Sequence, residues 1–146
     1  MQTRIGILLL GSLMALTATL TLGAPAAHAE PPLPGCSDVS GDWRNIDPDT
    51  RAVTRVIAST NCYQSYHGTA RVYGQCHPVD CDWGTTRIDA QPEGWWLGIY
   101  RTSTSTRYVW LKHYWFDFEL YLRVYVERVY TDGRPNTISD EWMHRA

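Results

Sequence analysis

Short segments in which apolar and polar residues alternate recur along the chain, and turn-forming residues separate them. Alternation with a period of two residues is typical of β-strands that bury one face, and no stretch shows the 3.6-residue period of a helix. The Thr-Asp-Gly-Arg-Pro sequence at 131–135 is the clearest of the intervening turns. The pattern predicts eight strands, at 41–46, 50–58, 62–75, 83–90, 95–101, 107–115, 119–131 and 136–145.

The sixth and seventh segments form the best-determined strand pair. Each carries aliphatic residues at every second position, which gives it one apolar face. A four-residue loop at 115–118 predicts that Val109 lies opposite Val124 and that Leu111 lies opposite Leu122. A slip of one residue would turn this aliphatic row outward, so we expect the row to face the core.

The order of the segments predicts the fold class. Short turns between consecutive strands are most simply satisfied by an up-and-down antiparallel arrangement, and closing it removes the unpaired edges. We therefore predict an all-β fold, a small antiparallel up-and-down barrel of about eight strands, with an open β-sandwich as the alternative. A barrel of this size has room for filled side chains or for one small ligand.

The first 29 residues have the pattern of a secretory signal peptide. Arg4 precedes an apolar run over 5–22, and a small-x-small sequence, Ala-His-Ala, follows it. The alternative is a retained membrane anchor, because the run is nearly long enough to span a bilayer. We expect cleavage after Ala29, an extended arm over 30–40 and a single barrel-like domain over 41–146, secreted or periplasmic and free of the membrane once the leader is removed.

Charge and aromatic content narrow the class of partner. The chain has 13 basic and 15 acidic residues, a balance that disfavours nucleic acids and anionic membranes as partners. Its aromatic residues are 7 Trp, 9 Tyr and only 2 Phe. Trp and Tyr combine a large apolar area with a polar tip, as binding surfaces do, although ordinary sheets also favour them. The partner we expect is a small molecule or an extracellular protein.

A short motif opens the first predicted strand. Gly41, Asp42 and Trp43 resemble the Gly-x-Trp opening of the calycin superfamily, the lipocalin- and avidin-like barrels. The resemblance implies a barrel in which the Trp plugs one end and a late Arg, here Arg145, packs on it. The resemblance implies the fold and no ligand, since the biotin-binding residues of avidins have no counterparts in this sequence.

The densest chemistry lies in the cysteine loop and the residues after it, Cys-His-Pro-Val-Asp-Cys-Asp-Trp-Gly at 76–84. This signature resembles that of uncharacterised small bacterial secreted β-domains, which implies an intact fold of that kind and no particular activity. Four cysteines allow three disulfide connectivities. We expect Cys76 to pair with Cys81, its near neighbour in sequence, and Cys36 with Cys62, because exported thiols are oxidised.

The cysteine loop supports two functional hypotheses besides a structural clip. A ring held by a disulfide would present His77, Asp80 and Asp82 to a protein partner, as an inhibitor or adhesin does. Alternatively, Cys76, His77, Cys81 and Asp82 would form the metal site of a hydrolase, because zinc accepts thiolate, imidazole and carboxylate ligands. Oxidation of the thiols argues against the metal set.

We favour a third function, non-catalytic binding of a small apolar or aromatic molecule inside the barrel. The candidate ligand-binding residues are Trp43, Trp83, His113 and Trp115. His113 is included because its strand position faces the predicted core, although one hydrogen bond more commonly satisfies such a histidine. We predict no catalytic residues and no cofactor, because the sequence shows no recognisable nucleophile and base and no paired carboxylates.

Overall fold

The computed structural model describes Leu33–Ala146, and in it eight antiparallel strands close into a barrel in sequence order. The pairing of the first and last strands, with Trp43 opposite Arg145, completes the closure. The predicted barrel is therefore confirmed, and the open sandwich is wrong. The strands are β1 (Gly41–Asn45), β2 (Val53–Thr60), β3 (His67–Gly74), β4 (Cys81–Ala90), β5 (Trp96–Arg101), β6 (Ser105–Phe116), β7 (Glu119–Tyr130) and β8 (Thr137–Arg145).

The connections between strands are short. A 3₁₀ helix, Pro92–Gly94, joins β4 to β5. Within the described range, no helix has the length and apolar character needed to cross a membrane. The predicted signal peptide over residues 1–29 lies outside the described residues, as do the first residues of the arm.

All eight strands differ from their predicted bounds by at least one residue at one end, and two of these differences have a clear local cause. β3 begins at His67 and not at residue 62, because the Asn61 carbonyl accepts hydrogen bonds from the amides of Gln64 and Ser65 and so forms a turn. β4 begins at Cys81, two residues earlier than predicted, where it pairs with Gly74. Both differences arise where local turn bonds or strand pairing override the alternation of side chains.

The β6–β7 hairpin keeps its predicted faces but not its predicted register. Its turn consists of Asp117 and Phe118 alone, with φ values of 47° and 66°. Positive φ at both central residues is typical of a two-residue type I′ turn. Val109 therefore lies opposite Val126 and not opposite Val124. A shift of two residues leaves every side chain on the same face, so the aliphatic row stays in the core despite the wrong loop length.

Side chains from all eight strands fill much of the barrel interior. Two indoles, Trp43 and Trp96, are completely buried there and supply the largest side chains. Dense aliphatic packing of this kind is the main favourable term in folding. The other large side chains without exposed surface are Val39, Val53, Val56, Val72, Ile88, Val109, Leu111, Leu122, Val124 and Met143.

The N-terminal arm, residues 33–40, covers one end of the barrel. The Trp96 indole N–H donates a 2.6 Å hydrogen bond to the Ser37 carbonyl, and Val39 reaches into the core. A disulfide between Cys36 and Cys62 joins the arm to the β2–β3 loop. The arm is thus an integral part of this end, which we call the closed end.

Trp43 lies at the closed end beneath the arm. Its indole N–H donates to the Val39 carbonyl at 3.0 Å. The Arg145 guanidinium lies 5.3 Å from the centre of the Trp43 ring and donates to the Ser40 carbonyl at 2.6 Å. The buried Trp43 indole, covered by Arg145 near the C-terminus, has the packing expected from the Gly-x-Trp opening.

Candidate functional site

The end opposite the arm is open. In an up-and-down barrel alternate connections lie at the same end, and here 46–52, 75–80, 102–104 and 131–136 surround the opening. A cavity of about 590 Å³ lies between them, within the range of about 300 to 1,000 Å³ usual for ligand pockets. We call this cavity and its lining the mouth. The side chains that define it are Trp83, Tyr100, Arg107, Val126, Arg128 and Ser139.

Two aromatic rings form one wall of the mouth. Trp83 meets Tyr100 edge to face, with ring centres 6.1 Å apart. Gly74 makes room for the indole, because a Cβ at that position would lie 2.7 Å from the Trp83 ring. The Tyr100 hydroxyl donates to the Ala70 carbonyl at 2.7 Å. Burial, with a smaller contribution from the Asp82 charge, raises the pKa of Tyr100, so the phenol stays neutral and the wall keeps its shape.

Two arginines project from the strands into the mouth. The Arg107 guanidinium lies 4.4 Å from the centre of the Trp83 ring and is half-buried. Its burial lowers the pKa of Arg107, and the nearby positive charge of Arg128 lowers it further. Arg128 donates to the Ser105 hydroxyl at 3.1 Å and lies 4.5 Å from the Tyr130 ring centre. Both guanidinium groups are therefore held in place by neighbours that carry no charge.

The cysteine loop forms part of the rim. Asp80 and Asp82 are engaged within the chain: Asp80 accepts a 2.7 Å hydrogen bond from the Thr54 hydroxyl, and Asp82 forms an ion pair with Arg71. The Arg71 guanidinium holds the pKa of the Asp82 carboxyl below its usual range. His77 is exposed to solvent. The three residues expected to contact a partner thus lie at the rim without forming a separate cluster.

The sulfur chemistry follows the predicted pairing. Cys76 is bonded to Cys81 and Cys36 to Cys62, and no cysteine between residues 33 and 146 is free. The same part of the chain contains no group of three or more His, Cys, Asp or Glu side chains placed to hold a metal ion. The zinc set that included His77 and Asp82 therefore does not assemble while the disulfide is intact. Two disulfides indicate an oxidising, extracytoplasmic environment.

The structure separates the four candidate ligand-binding residues. Trp83 lies in the mouth. Trp43 is sealed in the core at the closed end. Trp115 is 65% exposed and lies in β6, two residues before the β6–β7 turn. Of these indoles, only that of Trp83 lines the cavity.

His113, the fourth candidate, holds the arm to the barrel. Its Nδ1 lies 2.7 Å from the carbonyl oxygen of Asp38 and its Nε2 lies 3.0 Å from the Ser37 hydroxyl. Because a carbonyl can only accept, Nδ1 carries a proton. The ring therefore joins β6 to the arm at the closed end, away from the mouth.

Sequence reasoning missed most residues of the mouth, among them Tyr100, Arg107 and Arg128. A usable signal was present, because Arg107 stands two positions before Val109 and Arg128 two positions after Val126, on the same faces as those buried valines. An arginine on the inward face of a strand is unusual and marks a polar end of the barrel interior.

Comparison of the chain with protein-family models, with curated proteins and with solved structures found no match. The site is therefore defined by the geometry of the mouth.

Proposed function

We propose that this chain is a non-catalytic binding module that takes up a small apolar or aromatic molecule in the mouth. The observation that carries the proposal is the open cavity of about 590 Å³ bounded by Trp83 and Tyr100. Pockets for small molecules are concave, mostly apolar and largely preformed, with a few placed polar groups. The mouth is concave and open, and it combines an aromatic wall, Trp83 and Tyr100, with several polar and charged groups.

The filled core limits how deep a ligand enters. Below the mouth, Val72, Ile88, Val109 and Val124 occupy the interior and leave their side chains without exposed surface. A ligand therefore lies near the open end, against the indole of Trp83. This position favours a flat molecule of one or two rings, because an aromatic wall offers a broad apolar face.

The described lining of the cavity also supports binding without catalysis. It contains no histidine, and the sulfur atoms of Cys76 and Cys81 are bonded to each other. Nucleophilic catalysis needs an activated nucleophile within reach of a base. The groups that line the mouth instead offer surface, hydrogen-bond donors and positive charge.

Titration with N-phenyl-1-naphthylamine, an uncharged probe that fluoresces in apolar surroundings, tests the proposal. We expect a rise in fluorescence that saturates at one probe per chain. Ser139→Trp places an indole in the cavity and should abolish the signal. Thr85→Trp adds the same ring to an exposed position of β4 and should leave it unchanged.

Absence of saturable binding would refute the proposal. Equal binding by both tryptophan variants would place the probe outside the mouth and would also refute it. Circular dichroism of the two variants establishes that each retains the barrel.

A further inference from the structure

The charge of the mouth is opposite to that of the whole chain. The formal net charge of the chain is −2, yet the cavity is lined by four arginines, Arg51, Arg101, Arg107 and Arg128. A single carboxylate, that of Asp82, lines the same cavity, and it is already paired with Arg71. The described lining therefore carries an excess of positive charge.

Arg107 and Arg128 matter most among these cations, because both are half-buried, whereas Arg51 and Arg101 are exposed. Elsewhere in the described chain, arginines such as Arg55, Arg71 and Arg123 form ion pairs with aspartates. No carboxylate of residues 33–146 lies within 4.0 Å of either Arg107 or Arg128. A half-buried guanidinium without an anionic partner is costly to hold and attracts one.

The surroundings of Arg107 point to the kind of anion. Its guanidinium stacks on Trp83, so an acidic group bound there lies beside an aromatic face. Arginine binds carboxylate, sulfonate and phosphate oxygens through two parallel N–H donors, and it remains protonated over the whole accessible pH range. An anion with an attached ring would pair with the Arg107 guanidinium and also pack against the aromatic wall.

We propose that the ligand of the mouth is a small aromatic or apolar molecule that bears one acidic group, which Arg107 and Arg128 bind. This inference rests on the proposed function and specifies the chemical class of its ligand. The negative group lies toward the two guanidinium groups, and the ring lies against Trp83.

Two probes with one skeleton test the inference separately from the proposed function. 8-Anilino-1-naphthalenesulfonate carries a sulfonate, and N-phenyl-1-naphthylamine is the same molecule without it. We expect the sulfonate to bind roughly 10- to 100-fold more tightly, as expected for hydrogen bonds to charged groups in a partly buried site. Added salt should reduce this preference, because screening weakens the attraction.

Four variants locate the preference. Arg107→Gln and Arg128→Gln should each lower the affinity for the sulfonate far more than the affinity for the uncharged probe, so that most of the preference is lost. Lys112→Gln is the matched control, since it removes one positive charge from the same strand as Arg107 but lies outside the lining of the mouth. Arg107→Lys keeps the charge and should retain part of the preference, which keeps the test valid if a glutamine variant folds poorly.

The outcomes are distinguishable. Binding of neither probe refutes the proposed function and this inference with it. Equal binding of both probes supports the proposed function and overturns the inference. A preference that Lys112→Gln abolishes, and that the arginine variants leave intact, places the anion on the outer face and also overturns it. Displacement of the sulfonate probe by 1-naphthoate and by 1-naphthyl phosphate then distinguishes a carboxylate ligand from a phosphate ligand.

Discussion

Arginine side chains cover indole rings at both ends of the barrel. Arg107 lies over Trp83 in the mouth, and Arg145 lies over Trp43 at the closed end. A planar guanidinium stacks on an aromatic face and keeps its N–H groups free to donate in the plane, which an ammonium group does not. Arg145 uses those donors on the Ser40 carbonyl, whereas the Arg107 guanidinium is left available to a ligand.

The residue that strains the β6–β7 turn is Phe118. It is 92% exposed and has φ of 66°, a left-handed conformation that costs a residue with a Cβ about 1 to 2 kcal/mol. Phe118→Gly should therefore raise the free energy of unfolding by about 0.5 to 1 kcal/mol, measured by urea denaturation. Phe116→Gly is the control and should lower it, because Phe116 lies in β6 and stacks on Tyr114. A loss of stability in both variants would contradict this account of the turn.

At the scale of elements, the arm behaves as a structural part of the barrel although it is not a strand. Hydrogen bonds from Trp96 and His113 and the Cys36–Cys62 disulfide hold it across the closed end. The disulfide between Cys76 and Cys81 instead joins the β3–β4 connection at the mouth to the first residue of β4. The two bridges therefore constrain the chain over very different lengths.

The difference in loop length predicts a difference in stability. The sequence separations are 26 for Cys36–Cys62 and 5 for Cys76–Cys81. On the chain-entropy account, the paired replacement Cys36→Ser with Cys62→Ser should cost about 3.5 kcal/mol of unfolding free energy, and Cys76→Ser with Cys81→Ser about 2 kcal/mol. Urea denaturation of both double variants gives the comparison. A larger loss of unfolding free energy in the Cys76/Cys81 variant would show that the small ring does more than restrict the unfolded chain.

The strands were predictable because alternation of side chains is a local signal. The β6–β7 faces were predicted correctly, but their register was wrong by two residues. The Asp117-Phe118 sequence lacks the glycine that usually indicates a two-residue turn with positive φ at both positions. Both disulfides were predicted from proximity and export. The mouth was only partly predictable, because Trp83 and Arg107 come together only when the order of strands around the barrel is known.

At the scale of the whole molecule, ion pairs on the barrel surface join neighbouring strands. Arg55 with Asp42, Arg71 with Asp82 and Arg123 with Asp140 each connect adjacent strands. In each pair, the hydrogen bond from the arginine is the main reason why the pKa of the aspartate lies below its usual value of 3.8. The pairs are half-exposed, so salt screens them.

These shifts predict acid sensitivity. A carboxyl group whose pKa is lower in the folded chain contributes stability above about pH 4, and that contribution is lost as the pH falls through the folded value. We therefore expect the free energy of unfolding to decline from about pH 5 toward pH 3. Urea denaturation across that range measures it, and Arg123→Leu should reduce the decline by removing the partner of Asp140. A stability that rises on acidification would contradict the assignment.

The path of the chain has a practical corollary. The Ala146 amide donates a hydrogen bond to the Asp42 carbonyl, so the last residue lies beside the arm at the closed end. A fluorophore, affinity tag or solid support attached after Ala146 therefore sits at the end opposite Trp83. Immobilised this way, the barrel would present its aperture to the solution unobstructed.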